Sequence, residues 1–383
     1  METQVITVSK GKAIVSFILF VSIISFPFIN KQFSFIIEQK NADFTYIAKP
    51  QFTISQRDSF PHAYEKYYNE NVGITTQAIA FNAYFKTAIL EVSPNQSKVV
   101  VGKNNWLFMA GKPLNDYRGI NLLSLEEINK IRDILHNRAV RLKEKGIQFY
   151  FALVPNKHRV YSEYLPNNVA KREGLTVYYQ VLEALKEDTL IHLIDLRVPI
   201  ETAKAEHVLY YKKDNHWNDI GAYVGYKSII EHINKDFPKV TPVALNAYDL
   251  DTTVSLVGGE ALQIGMDKFI KEKRVMLRPK NAMRSHPGEL QNYPAPATFP
   301  YPDDFEIVKN IDDELLPTAV IIRDSFTDFM LQFFSENFKK TIFIFDNWEY
   351  KENKNIIDKE KPNIVVLEVI EQNISRISEC DKM

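Results

Sequence analysis

The sequence predicts an α/β domain with a mainly parallel central sheet flanked by helices, set behind an N-terminal membrane-anchor helix. Three observations predict it. Apolar strand-like runs alternate with helix-periodic stretches through much of the chain. A capped amphipathic helix leads directly into the continuous apolar run FYFALV at 149–154. Residues 13–29, AIVSFILFVSIISFPFI, carry no charge and follow Lys10 and Lys12.

Residues 1–12 read as a cytoplasmic tail and 13–29 as the anchor. At about 1.5 Å per residue the anchor is at the short end of what spans a bilayer. The lysines ahead of it keep the N-terminus inside and turn the remainder outward. The expected location is the cell membrane, single-pass, with the domain extracytoplasmic, either periplasmic or extracellular. A cleaved signal peptide is the rival, but the following PFINKQF has no small-x-small site. Residues 30–75 read as a juxtamembrane stalk, and 76–383 as the domain.

Within the domain, 76–92 is helix-periodic. Ser124 and Glu127 form a capping box, followed by Leu125, Ile128, Ile131, Leu135 and Leu142 at helical spacing and by Gly146 as a stop. After the strand at 149–154 come a helix at about 173–187 and a strand at 191–196. Later, a strand at 319–322, a helix at 326–338, a strand at 341–345, a short helix near 352–360 and a strand at 364–369 repeat the alternation. Residues 238–317 break it. Prolines crowd 279–302, which excludes a long helix or a central strand there. This insertion is expected to lie over the C-terminal edge of the sheet.

Composition narrows the function. Hydrophobic residues make up 45%, enough to bury a sizeable core. The 25 Phe and 19 Tyr are plainly read as core, with carbohydrate stacking as the other reading. Lys+Arg at 47 balances Asp+Glu at 48 with no basic stripe, which argues against a nucleic-acid partner. A single cysteine makes neither an intramolecular disulfide nor a cysteine metal site. No metal and no cofactor are expected.

Sites on open parallel sheets form beyond the C-terminal strand ends, so reactive residues between a strand and the next helix matter most. In Ala319-Val320-Ile321-Ile322-Arg323-Asp324-Ser325-Phe326 an apolar strand ends at a serine where a helix begins. Free backbone N–H groups there can hold an oxyanion. The plain alternative is that Asp324 or Ser325 only caps the helix. In Asp214-Asn215-His216-Trp217-Asn218 a carboxylate stands two residues before a histidine, ahead of a helix with Ile220, Val224, Ile230 and Ile233. Asp214 can hold His216 Nδ1 and leave Nε2 as a base; a surface histidine beside a capping aspartate is the plain alternative. Together the two segments offer the serine, histidine and aspartate of nucleophilic acyl chemistry. His158 and, as a rival acid, Asp195 are second-rank candidates. Gly259 sits in a Gly258-Gly259 pair that either brings an N–H to an oxyanion or simply turns the chain.

The ordered set Asn105-Trp106-Leu107-Phe108, Val154-Pro155-Asn156-Lys157, Asp214-Asn215-His216-Trp217-Asn218 with Gly221-Ala222-Tyr223, and Arg323-Asp324-Ser325-Phe326 resembles the alginate O-acetyltransferase family, AlgX/AlgJ-like, whose domains are SGNH-hydrolase-like. The resemblance runs from about 99 to 373. It implies Ser325 as nucleophile, His216 as base and Asp214 as acid. The histidine and aspartate precede the serine, the reverse of ordinary SGNH enzymes and as in this permuted family. It makes Lys157, Trp217, Arg323 and Gly259 the candidates for substrate contact. Gly258-Gly259-Glu260-Ala261-Leu262 stands where the family has Gly-Asp-Leu. The resemblance also implies a polysaccharide acceptor and an acetyl donor supplied by a multi-pass membrane acyltransferase. No C-terminal carbohydrate-binding module is expected. An acetylesterase using the same three residues, and a non-catalytic scaffold of a polysaccharide-export complex, are the competing expectations.

Overall fold

A computed structural model describes residues 10–33, 48–71, 75–170, 175–256, 258–266, 269, 271–297, 299–346 and 354–379. The chain divides into two compact units, Met1–Phe85 and Lys86–Met383. The first holds helices α1 (Lys10–Phe33), α2 (Phe60–Asn71) and α3 (Thr75–Tyr84). The anchor expected at 13–29 lies within α1, where Ile14, Phe17, Ile18 and Phe20 are exposed. Among the described residues no helix is long and apolar enough to cross a membrane. The side chains at 27, 28, 31 and 32 stand outside the described set. The helix expected over 76–92 is shorter: α3 gives way to a π-helical turn at Phe85–Ile89.

The second unit is an α/β layer structure. Helix α4 (Leu125–Glu144) starts at the expected capping box: Ser124 Oγ accepts from Glu127 N at 3.2 Å, and Ser124 N donates to Glu127 Oε2 at 2.8 Å. Gly146 closes it at φ +73°. Strand β1 (Gln148–Val154) follows, then α5 (Val177–Leu185), β2 (His192–Asp195), α6 (Asp219–Asn234), α7 (Gly259–Gln263), β3 (His286–Pro287), β4 (Glu306–Asn310), β5 (Thr318–Arg323), β6 (Lys340–Phe345) and β7 (Ile364–Ile370).

These strands form one sheet in the order β2-β1-β7-β5-β6-β4-β3. The block from β2 to β6 is parallel, but β4 pairs antiparallel with β6, and β3 antiparallel with β4. The expected mainly parallel sheet is therefore mixed. The insertion at 238–317 supplies β3 and β4, and it does so at the sheet's edge, where a proline can sit without breaking a central ladder. The helix expected at 326–338 is also different. It begins as a 3₁₀ turn, Ser325–Phe329, and continues as the short helix Leu331–Phe334.

Strand alternation splits the core in two. Tyr150, Ala152, Val154, Ala319, Ile321 and Phe343 face Tyr226, Ile229, Ile230 and Ile233 of α6. Phe149, Phe151, Leu153, Val320 and Ile322 face Ile131, Leu135 and Leu142 of α4 and Val181 of α5. Burial on both faces explains why the parallel strands read as unbroken apolar runs.

Candidate active site

The segment before α6 is a tight hairpin. Tyr210 bridges Trp217, Tyr211 N donates to His216 O at 3.1 Å, and Asn218 N donates to Leu209 O at 2.8 Å. Asn218 then caps α6, its Oδ1 accepting from Ile220 N and Gly221 N at 3.0 Å each. Asp214 lies at the hairpin tip. Its Oδ1 accepts from His216 N at 2.8 Å and from His216 Nδ1 at 2.6 Å. With Nδ1 so bonded, Nε2 is the acceptor, and it lies 2.9 Å from Ser325 Oγ.

Ser325 follows β5 directly. Asp324 caps the 3₁₀ turn, its Oδ1 accepting from Phe326 N at 2.9 Å. The two segments are pinned together by the Trp217 indole N–H, which donates to Phe326 O at 2.9 Å. The His216 ring packs on Phe326 and Phe329, with centroids at 4.9 and 5.6 Å. The His216 side chain is 29% exposed and that of Asp214 15%, so the imidazole is reachable while the carboxylate is largely screened.

Charge follows from this geometry. Burial opposes an imidazolium at His216, but the hydrogen bond and charge of Asp214 outweigh it, with Glu260 and Asp324 adding to them, and its pKa is raised. Burial opposes the Asp214 carboxylate, yet the bonds from His216 and the charge of Lys157 hold its pKa below the ordinary value. Of the free N–H groups expected at the serine turn, those of Phe326 and Thr327 are committed to Asp324, which leaves the Ser325 N–H from this turn.

The four candidates for substrate contact occupy other places. Lys157 is fully buried, and its Nζ donates to Leu107 O at 2.6 Å, Lys212 O at 3.0 Å and Asp214 O at 3.0 Å. Every ammonium proton is used, two on the hairpin at Lys212 and Asp214 and one on Leu107. Trp217 is fully buried and serves as the clamp to Phe326; its ring packs against Gly225, where a Cβ would stand 2.9 Å from the indole. Arg323 is fully buried, donating from Nη1 to Asp328 Oδ1 at 2.5 Å and lying 4.2 Å over the Phe345 ring. Gly259 has φ +62°, and a Cβ there would lie 2.5 Å from Asp214 Oδ2 and 2.7 Å from Lys213 O. It lets the insertion close on the acid.

His158 and Asp195 stay outside the cluster. His158 is fully buried, hydrogen-bonded through Nε2 to Met109 O, and pushed down to about 4 by burial. Asp195 is held by Tyr178 Oη and Arg197. Sequence reasoning missed Glu260 and Glu368, both buried carboxyls at the site. The signal for Glu368 was present, a lone acid in the otherwise apolar run IVVLEVI.

Residues 99–266 match the model of a family described as SGNH hydrolase-like domain, acetyltransferase AlgX. The match includes Asp214, His216 and Gly259 and ends before Ser325. A probable alginate O-acetylase AlgJ of Pseudomonas putida is 29% identical over 140 residues, 36% of this chain and 34% of the relative. A probable alginate O-acetylase AlgJ of Azotobacter vinelandii is 24% identical over 243 residues, 61% of this chain and 58% of the relative. The chain thus spans between a third and three-fifths of the length of these relatives. Among solved structures, Bacillus cereus PatB1 superposes with TM-score 0.52 at 20% identity, over 72% of this chain and 96% of that one, which is a likeness of fold.

Proposed function

Because the family model and the curated relatives support an AlgX/AlgJ-like chain, we propose that it is a serine-dependent O-acetyltransferase acting on hydroxyls of a polysaccharide, alginate or one like it. The single observation that carries the reading is the relay Asp214–His216–Ser325, with contacts of 2.6 and 2.9 Å.

His216 Nε2 takes the Ser325 proton as Oγ bonds to the acetyl carbon of the donor. The donor's acyl bond breaks, and its leaving group departs with the proton that His216 returns. A sugar hydroxyl then gives its proton to His216 and bonds to the same carbon. Ser325 Oγ leaves and is reprotonated. In this reading the Ser325 N–H serves the oxyanion; a donor of this kind is worth roughly 3–4 kcal/mol. Lys157 and Trp217 position the segments that carry the relay rather than touch substrate, and Arg323 is paired with Asp328.

Membrane attachment through 13–29 belongs to the same proposal. Its support is the uncharged stretch behind Lys10 and Lys12. The domain would then face away from the cytoplasm and take acetyl groups from a multi-pass membrane acyltransferase.

The test is intact-mass spectrometry after exposure to a chromogenic acetyl ester, with and without oligosaccharide. A single acetyl adduct on Ser325, discharged faster by oligosaccharide and absent in Ser325→Ala, is expected. An adduct that persists in Ser325→Ala overturns the mechanism. Discharge that ignores oligosaccharide makes the protein an esterase.

A further inference from the structure

Beneath the serine turn lies a second acid that the relay does not use. Strand β7 is buried at every position and runs between β1 and β5. Its alternation puts Ile364, Val366 and Ile370 into one core, and Glu368 shares their parity. Glu368 is fully buried and Asp324 nearly so. Glu368 Oε2 accepts from Asp324 N at 3.1 Å and from Thr327 Oγ1 at 2.8 Å. Asp324 Oδ1 accepts from Phe326 N at 2.9 Å, and Oδ2 accepts from Ile370 N at 2.8 Å.

Two observations say where the proton is. Glu368 lies beside the buried Asp324, whose backbone N–H it accepts, and two buried carboxyls so close do not both ionise. Glu368 Oε1 accepts from no donor, so nothing there offsets a negative charge. Two backbone N–H donors favour the anion at Asp324, whereas Glu368 sits in an apolar strand face. Burial and the Asp324 charge also hold the Glu368 pKa well above the ordinary carboxylic range. Arg323 and Tyr210 are the other ionisable groups that sense this acid.

We propose that Glu368 is a neutral positioning acid, which shares one proton with Asp324 and so fixes the turn carrying Ser325 against His216. It touches neither substrate nor the reacting atoms. It holds Asp324 N–H and the Thr327 hydroxyl through Oε2 and the Asp324 carboxylate through the shared proton, so the serine turn is tied to the middle strand of the parallel block. The inference rests on Ser325 as the nucleophile.

Glu368→Gln keeps both halves of the arrangement, since its amide oxygen accepts and its NH₂ donates. Glu368→Met keeps the length and removes both. Ser325 acylation by the chromogenic ester is expected within about threefold of wild type in Glu368→Gln. In Glu368→Met a misplaced nucleophile should cut kcat by about 100-fold with KM little changed. Independently, difference infrared spectroscopy near neutral pH should show a protonated-carboxyl band in wild type that Glu368→Gln removes and Glu260→Gln does not. A Gln variant as impaired as the Met variant, or a band that survives Glu368→Gln, overturns the proposal. If Glu368→Met does not fold, the Gln variant and the band decide. If wild type never acylates Ser325, the transferase reading fails while the band still decides the proton.

Discussion

On the proposed mechanism, Asp214 makes the His216 base pH-sensitive in a defined direction. His216 must be neutral to take a proton, and its pKa is raised because the partner carboxylate outweighs burial. The rate of Ser325 acylation should therefore rise with pH through a midpoint above the ordinary imidazole value, as read from a pH–rate profile. In Asp214→Asn burial remains but the compensating charge is gone, so the midpoint should move to lower pH. The rate should fall by roughly 10³–10⁴ as the ring loses its fixed tautomer. A profile that stays in place would remove Asp214 from contact with the base. That these three residues meet was legible because each is of a reactive type in a segment leading into a helical turn. The companions were not. Lys157 and Arg323 were candidates for substrate contact, yet Lys157 is buried and donates to Leu107 O, Lys212 O and Asp214 O, and Arg323 is buried and paired with Asp328.

At the scale of elements, α4 was read correctly because its cap, periodicity and stop agree, and all three act locally. The serine turn was read as the start of a long helix. It is a 3₁₀ turn in which Thr327 N donates to Asp324 O and Met330 N to Thr327 O. Strands β3 and β4 escaped notice because edge strands need few apolar residues and tolerate Pro287. The turn before α7 is where an element most tightly constrains the site. Gly259→Ala puts a methyl against Asp214 and Lys213 in a left-handed conformation that alone costs about 1–2 kcal/mol. The variant should show a lowered Tm, and its acylation rate should fall more than its KM rises, because Asp214 is what must move. An unchanged rate would mean that the α7 turn does not seat the acid.

For the molecule as a whole, the alternating pattern revealed the class of fold but not the sheet's hand-off from parallel to antiparallel pairing. That hand-off depends on long-range contacts of the insertion, which local periodicity does not encode. The relay lies wholly in the second unit, Lys86–Met383. A protein starting at Lys86 should stay monodisperse and acylate Ser325 within a few-fold of the full chain, while polysaccharide acetylation in cells drops sharply if membrane attachment supplies the donor. Full cellular activity without residues 1–85 would sink the anchoring part of the proposal. Both rims of the main sheet are blunt. One ends on the short strand His192–Asp195 and the other on His286–Pro287, where a proline offers no amide hydrogen. Neither rim presents a long ladder on which a foreign strand could be templated. At high local concentration the fold is thereby guarded against edge-to-edge aggregation, and any assembly built on this sheet must dock through side chains rather than by adding a strand.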